Sequence, residues 1–560
     1  MVKAAGLFLQ AIPLPTPSAT PSVASFGGNV VQASFLLSTM VWVPVVVALV
    51  LAVVPNPRGR YDRSLRLGAF WTNFGLLLLC LVGYTQFQVF STGLQFEEKV
   101  PWMPAIGATY HLGVDGISIV VLLLSSLIGV IAVIASAGIR ERVREYFVLL
   151  LLLQSAANGV IVAHDLFVLV LFWSAAALPL ALLVVGWSGG GEALGGAGAA
   201  GGHLMAGALP GLNSTGLRRL GRLLGYWGLG SAALAAAAFV LYQAAGGTSF
   251  DFDILLKAAP GPRVQVVVGI LLVIAAATRL PLFPFHSWIR EVLAEAPVGV
   301  AVLVAGSVSR LGGYLLVRVL AGAEHDGARL LSHFIAALAA ITVVYAAVAA
   351  WRSADVRRGA SYLALIPGAI TVLGVVGLTP LSLDGAVISL LAGGLAAALV
   401  VGAAASVSHR AQSTSLSILA GLATRMPKLA WLWLLGGAAI LGLPFLATFP
   451  AEVMIVLGSF QSQPWAVFAV AVGLLLAAGA IAWVLYRVLF GAPNPEAPGA
   501  GDASISEAWY LGLLAAALLW VGILPSGPKL GGVPFFDPGV ANVVNSATSD
   551  LAAPFVVPAR

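Results

Sequence analysis

The sequence predicts an all-α polytopic membrane protein of about 14 transmembrane helices, folded as two inverted five-helix repeats that each contain a broken helix. Three observations predict it. Only 9% of the 560 residues are charged and 60% are apolar, with a mean hydropathy of +1.00, where a soluble chain carries about a quarter charged residues. Apolar runs of bilayer-crossing length recur from end to end. Two of those runs are interrupted by a Leu-Pro pair and a second proline.

Fourteen spans begin near residues 33, 67, 113, 144, 165, 219, 264, 296, 330, 360, 384, 428, 464 and 506. The basic residues between them sort by side. One set of loops holds 18, including Arg58, Arg60, Arg140, Arg218, Arg290, Arg357, Arg410 and Lys428; the other holds 5, namely Lys99, Lys257, Arg263, Arg318 and Arg329. Positive charge stays inside, so the first set is expected in the cytoplasm and both termini on the far side. The Ala-, Gly- and Arg-heavy usage suggests a GC-rich bacterium, and hence a multi-pass protein of the inner (cytoplasmic) membrane.

Along the chain, 1–32 reads as an N-terminal extension, favoured over a weak signal peptide. Residues 33–138 hold the N-terminal transmembrane helices, 139–329 the first repeat and 330–490 the second, inverted by the helix count. The first repeat includes a Gly/Ala-rich loop at 188–211, and 491–560 supply the last helix and a C-terminal tail. The single cysteine, Cys80, lies in an apolar run and reads as a small packing residue; one cysteine excludes an internal disulfide or an iron–sulfur cluster held by this chain. No nucleotide-binding or zinc-protease pattern occurs, and the charge of +6 reports topology rather than nucleic-acid binding.

The interrupted runs read TRLPLFPFHSWIREVLAEAP (278–297) and LGLPFLATFPAEV (441–453). Pro281 and Pro284 in the first, and Pro444 and Pro450 in the second, each remove a backbone donor and clash with the preceding turn, so both helices should break. A broken helix at corresponding places in two halves is the pattern of ion transporters. Arg279 precedes the first break, Arg310 lies inside the next span and Glu452 follows the second break. Charges in a membrane helix are costly unless paired or hydrated, so all three are candidates for an ion pathway; for the arginines the alternative is a structural tie to acids or freed carbonyls. His286 suits proton exchange and helix capping equally. Asp115 reads as an N-cap before it reads as a partner for a neighbouring subunit, and Glu145 as part of an edge cluster with Arg142 and Arg144.

These motifs resemble a known family. TRLPLFPFHSW…EAP followed by SRLGGY, with GVDGIS (113–118), REYFVLLLLLQ (144–154), HDLFVLVLFWS (164–174) and GLPFLATFPAEV (442–453), is similar to the antiporter-like subunits of respiratory complex I, and most to the M type, called subunit 4 in mitochondria. The resemblance covers roughly residues 35–525. It implies two inverted half-channels meeting on a hydrated polar axis along which protons move, driven by electron transfer on other subunits. It implies no cofactor in this chain. NADH or another donor, flavin, iron–sulfur clusters and quinone belong to partner subunits, namely the other membrane-arm subunits and a peripheral redox arm, with lipid around this chain.

Carried over by position, the resemblance exposes departures. The fifth-span glutamate falls on Ser174, beside Trp173, and the fourth-span acid on Gln154. The lysines of the seventh and eighth spans fall on Arg279 and Arg310, and the histidines of the tenth and eleventh on Ile366 and Gly393. Glu452, Asp115 and His286 match the family. Arginine keeps its proton where a lysine in a dry site gives it up, so the pathway is expected to be altered or impaired. The expected role is therefore a membrane-arm subunit coupling redox-driven changes to proton translocation. The alternatives are a non-pumping structural subunit of that arm, or a subunit of a cation/proton antiporter or membrane-bound hydrogenase.

Overall fold

A computed structural model describes residues 35–56, 59–88, 93–187, 214–258, 260–322, 325–489, 491, 501–523, 529–530, 533–534 and 540–552. The expected extension at 1–32 and the loop at 188–211 lie outside the described residues. Among the described residues, thirteen helices are long and apolar enough to cross a membrane. They are α1 (Leu36–Val53), α2 (Asp62–Gln86), α3 (Gly116–Ala135), α4 (Val143–Val162), α5 (Leu166–Trp187), α6 (Gly216–Ala244), α7a (Pro262–Arg279), α8 (Val298–Ala321), α9 (Ala328–Trp351), α10 (Val356–Gly377), α11 (Pro380–Ala411), α13 (Pro464–Val488) and α14 (Ile505–Ile523). The span expected from residue 428 is two shorter apolar helices, α12a (Pro427–Ile440) and α12b (Thr448–Ser459). A short helix, α7b (Ser287–Glu295), completes the seventh span, and α15 (Val540–Ala552) follows the last one.

The centre is made by α8 and α11, whose apolar windows are wholly buried inside the protein, with α10 nearly so. Such helices touch no lipid, and their sequences show why they can pack so closely. In the run LAGGLAAALVVGAAAS of α11, eleven of sixteen residues are Gly, Ala or Ser, which lets helix backbones approach each other. At Gly394 a Cβ would lie 2.5 Å from the Gly306 carbonyl of α8, so no side chain fits there. By contrast α2, α13 and α14 leave most of their apolar surface outside, as lipid-facing helices should.

An antiparallel hairpin, β1 (Gln95–Met103) and β2 (Ala108–Val114), precedes α3. Glu98 on β1 fastens it to α1: its carboxylate accepts the Leu37 amide at 2.8 Å and the Ser38 amide at 3.1 Å. These are unpaired donors of a helix N-terminus, where a negative charge is also favoured by the helix dipole. Asp115 caps α3 as expected, accepting from the Ile117 and Ser118 amides, and it also pairs with Arg318 of this same chain rather than waiting for a neighbour. Glu145 pairs with Arg144, and Cys80 is buried and free.

The eighth span is the least regular. It runs as α-helix to Gly306, a 3-10 turn at Val308–Arg310, α-helix again at Leu311–Leu315 and a π-helical stretch at Leu316–Ala321. Gly312 brings it against the end of α7a, where a Cβ would meet the Ala276 carbonyl at 2.5 Å and Leu280 at 2.7 Å. Replacing Gly312 with valine should therefore push α8 off the first break. The expected cost is about 1–3 kcal/mol, as for overpacking generally, and thermal unfolding of the purified protein in detergent measures it.

Candidate functional site: the two breaks and the buried arginines

The first break spans Leu280 to His286, between the end of α7a at Arg279 and the start of α7b at Ser287, and it contains Pro281 and Pro284. The Arg279 side chain is 1% exposed. Its guanidinium lies 3.3 Å from the Trp227 ring centroid and 4.8 Å from that of Trp173. One Nη2–H is donated to the Trp173 carbonyl, while Nε and Nη1 have no partner among the described residues. The charge is thus held by indole faces from α5 and α6, a cation–π environment, instead of by a carboxylate. Ser174, where an acid was expected, is partly buried. His286 stands at the N-cap position of α7b without a side-chain capping bond. Its ring stacks on Phe283 at 5.7 Å and meets Tyr345 at 4.5 Å, and Nδ1 has no partner.

Arg310 is 2% exposed and sits in the 3-10 turn of α8. Its Nε and Nη2 donate to the Ala305 carbonyl, and Nη2 also to the Ala364 carbonyl of α10, each at 3.3 Å. Nη1 has no partner. Glycines make room for it. A Cβ at Gly368 would lie 3.3 Å from Nη1, one at Gly393 3.7 Å from Nη1, and one at Gly394 3.4 Å from Cγ. Gly393, where a histidine was expected, therefore borders the guanidinium, and a Cβ there would also meet Pro367 at 2.7 Å. Ile366 is fully buried nearby in sequence and offers no polar atom.

In the second break, α12a ends at Ile440 and the chain turns through Gly442 and Phe445, both with positive φ, around Pro444. Pro450 corrects the expectation: it lies in the first turn of α12b, not in the break. A proline there forfeits no helical hydrogen bond, because first-turn amides have no acceptor. Glu452 follows on α12b, with its carboxylate against the face of Gly442 where any Cβ would collide.

Two networks were not foreseen from the sequence, although Gln154 in the first was singled out there as the position of the fourth-span acid. Gln154 heads a buried polar cluster, its Nε2 donating to the Ser125 carbonyl at 3.0 Å and to Asn158 Oδ1 at 3.1 Å, while the Ser307 hydroxyl bonds Ser125 Oγ at 3.1 Å. This joins α3, α4 and α8 through groups that never ionise. Polar Ser125, Asn158 and Ser307 inside apolar runs were the available signal. The second feature lies at the helix ends opposite the arginine-rich loops. There Asp251 Oδ2 accepts from Lys99 Nζ at 2.6 Å and faces His111 Nδ1 at 2.8 Å. Burial alone would raise the Asp251 carboxyl, but the His111 and Lys99 bonds hold it well below the usual range. Glu97 lies 2.9 Å from His111 Nε2 without forming a hydrogen bond to it. His164 accepts from Arg318 Nη2 at Nδ1 (2.9 Å) and turns Nε2 to Asp253 at 3.2 Å.

His164, Asp251 and Asp253 bring ligand atoms within 4.8 Å of one another, a spacing open to a metal ion. The bonding argues otherwise. A guanidinium only donates, so Nδ1 must be bare and Nε2 must carry the hydrogen, which leaves no lone pair toward the acids. Lys99 already neutralises Asp251. On the arginine-rich face, a cavity of about 1250 Å³ opens beside the start of α8, lined among others by Arg219, Glu295, Arg357, Arg410 and Glu507.

The packing around Arg310 yields a coupled prediction. Gly393→His alone should lower the melting temperature, because the imidazole collides with Pro367 and crowds the guanidinium. Combined with Arg310→Lys it should cost less than the sum of the two single changes, as expected of residues sharing one space. A double-mutant cycle by thermal unfolding reads the difference.

Comparison with known proteins agrees with this geometry. Residues 222–477 match the family model described as NADH:quinone oxidoreductase/Mrp antiporter, transmembrane. The chain is 25% identical over 499 residues to the chloroplast NAD(P)H-quinone oxidoreductase chain 4 of Mesostigma viride, covering 87% of this chain and 93% of that one. It is 27% identical over 529 residues to NADH-quinone oxidoreductase subunit M of Rhodobacter capsulatus, covering 92% and 98%. Its fold matches a chain of respiratory complex I from Thermus thermophilus with TM-score 0.75, at 22% identity, over 92% of this chain and 99% of that one. Residues 222–477 thus resemble a membrane domain of the NADH:quinone oxidoreductase/Mrp antiporter family, and the chain shares its fold with the matched chain of respiratory complex I.

Proposed function

We propose that this chain is a membrane-arm subunit of a complex I-like oxidoreductase that couples redox-driven changes elsewhere in the complex to proton translocation. The observation that carries the reading is the placement of ionisable groups at two helix breaks: buried Arg279 and His286 at the first, half-buried Glu452 at the second, with buried Arg310 in the irregular turn of the central helix α8. Broken helices expose backbone dipoles that hydrate a pathway at depth. Helices α4 to α8 and α9 to α13 supply the two oppositely oriented units of that pathway.

The roles divide by chemistry. Arg279 and Arg310 keep their protons and act as fixed positive charges. Glu452 and His286 are the groups that exchange protons, and water bridges Ser174, Ile366 and Gly393, where side chains cannot. The arginine-rich face is the cytoplasmic one, so its cavity is the water-accessible entrance and both termini lie outside. In a bacterium this places the chain in the inner membrane, beside other membrane-arm subunits and lipid, with a peripheral arm carrying donor, flavin, iron–sulfur clusters and quinone chemistry.

A second reading has its own support. The indole cage around Arg279 and the absence, among the described residues, of a carboxylate partner for either buried arginine suit a static member of the same arm. Glu452→Gln separates the two. With the assembled complex in vesicles, translocating function predicts a loss of about tenfold or more in redox-driven proton uptake, the scale of a lost acid–base group. An unchanged proton-to-electron ratio would leave the static role standing.

A further inference from the structure

The network on the outer face has a feature that transport through the breaks does not use. Arg318 lies in the π-helical stretch Leu316–Ala321 of α8, two turns beyond Arg310. Its Nη1 bonds Asp115 at the head of α3, and its Nη2 bonds His164 between α4 and α5. Between the two arginines on α8, the Tyr314 hydroxyl donates to the Ile161 carbonyl at 2.7 Å and lies 3.0 Å from Ser118 Oγ. Ser118 in turn donates to Asp115 Oδ1 at 2.9 Å. The outer end of the central helix is therefore fastened to its neighbours through one guanidinium and one phenol.

We propose that the Arg318–His164 bond is a proton-sensitive latch: a proton taken up by His164 from the outer face releases Arg318 and loosens the outer end of α8. The bond exists only while Nδ1 is bare, since guanidinium has hydrogens to give and no lone pair. Protonation at Nδ1 replaces an attraction with two cations in contact. The π-helical stretch and the 3-10 turn at Arg310 give the helix a way to absorb a change of register, as such irregularities do at moving sites. The link from latch to transport rests on the function proposed above, in which protons accumulate on this face; the latch then acts as a product-sensing brake.

The surroundings of His164 set its response. Arg318 faces it from α8, with Asp115 behind from α3. His111 of the hairpin meets its ring edge-on at 4.8 Å, itself flanked by Glu97 and Asp251, and Lys99 neutralises Asp251. Asp253, about half exposed, is the contact to solvent at Nε2. Its chain neighbour Asp165 points away, to Thr109. Burial first, and the Arg318 charge second, pull the imidazole from its ordinary 6.5 down to about 4. The latch is thus closed at neutral pH. An unfolded or released ring binds protons more readily in that window, so the latched state loses stability as pH falls from 6.5 toward 4.

Hydrogen exchange on the complex purified through this chain, corrected for intrinsic pH dependence, tests the latch without requiring transport. Between pH 7 and about pH 4.5, the amides of 316–321 should lose about tenfold protection in the wild type. His164→Asn keeps an acceptor for Arg318 but takes no proton, and should abolish the change. Equal protection at both pH values in the wild type, or the same loss in the variant, overturns the proposal. In sealed vesicles, outer acidification should slow redox-driven proton transport in the wild type and not in His164→Asn. If no transport occurs at all, the functional reading fails while the exchange result still decides the latch.

Discussion

Two guanidinium groups buried in a protein core without a carboxylate set the terms for the rest of this fold. Moving an ion out of water costs several kcal/mol even after relaxation, and among the described residues neither Arg279 nor Arg310 has an acid to offset that. What they have instead is what the broken and irregular helices supply. Arg279 finds a carbonyl of α5 and two indole faces, and Arg310 finds the carbonyls of Ala305 and Ala364. Each retains an orphan donor, Nη1 in both cases.

The same constraint explains the glycines around α8. Arginine is longer and broader than lysine, and a wholly buried helix has no spare volume for it. Gly368, Gly393 and Gly394 supply that volume from α10 and α11. The missing side chain at Gly393 and the guanidinium of Arg310 are thus parts of one packing arrangement.

Much of the architecture was legible because hydropathy dictates it. The expected starts near 33, 113, 144, 165 and 428 fall within three residues of α1, α3, α4, α5 and α12a. The interruptions at 281 and 444 were visible as proline in an apolar run, and Arg279, Arg310 and Glu452 as charges where lipid-facing helices have none. What could not be read is what depends on contact between distant residues. The hairpin at 95–114 exists because Glu98 reaches an α1 terminus some 60 positions earlier. The His164–Arg318–Asp115 network joins three separate chain segments. Pro450 was misplaced because a proline beside a break and a proline opening the next helix look alike in sequence.

In the function proposed above, this chain is the ion-conducting part of a redox-driven assembly, with the electron chemistry on other subunits. Extraction of the tagged protein in a mild detergent, followed by mass spectrometry of what accompanies it, tests that most directly. That function requires other membrane-arm subunits to come with it, together with a peripheral arm bearing flavin and iron–sulfur proteins. Recovery of the chain alone, or only with small antiporter subunits, would contradict it and make ion exchange without electron transfer the function to explain.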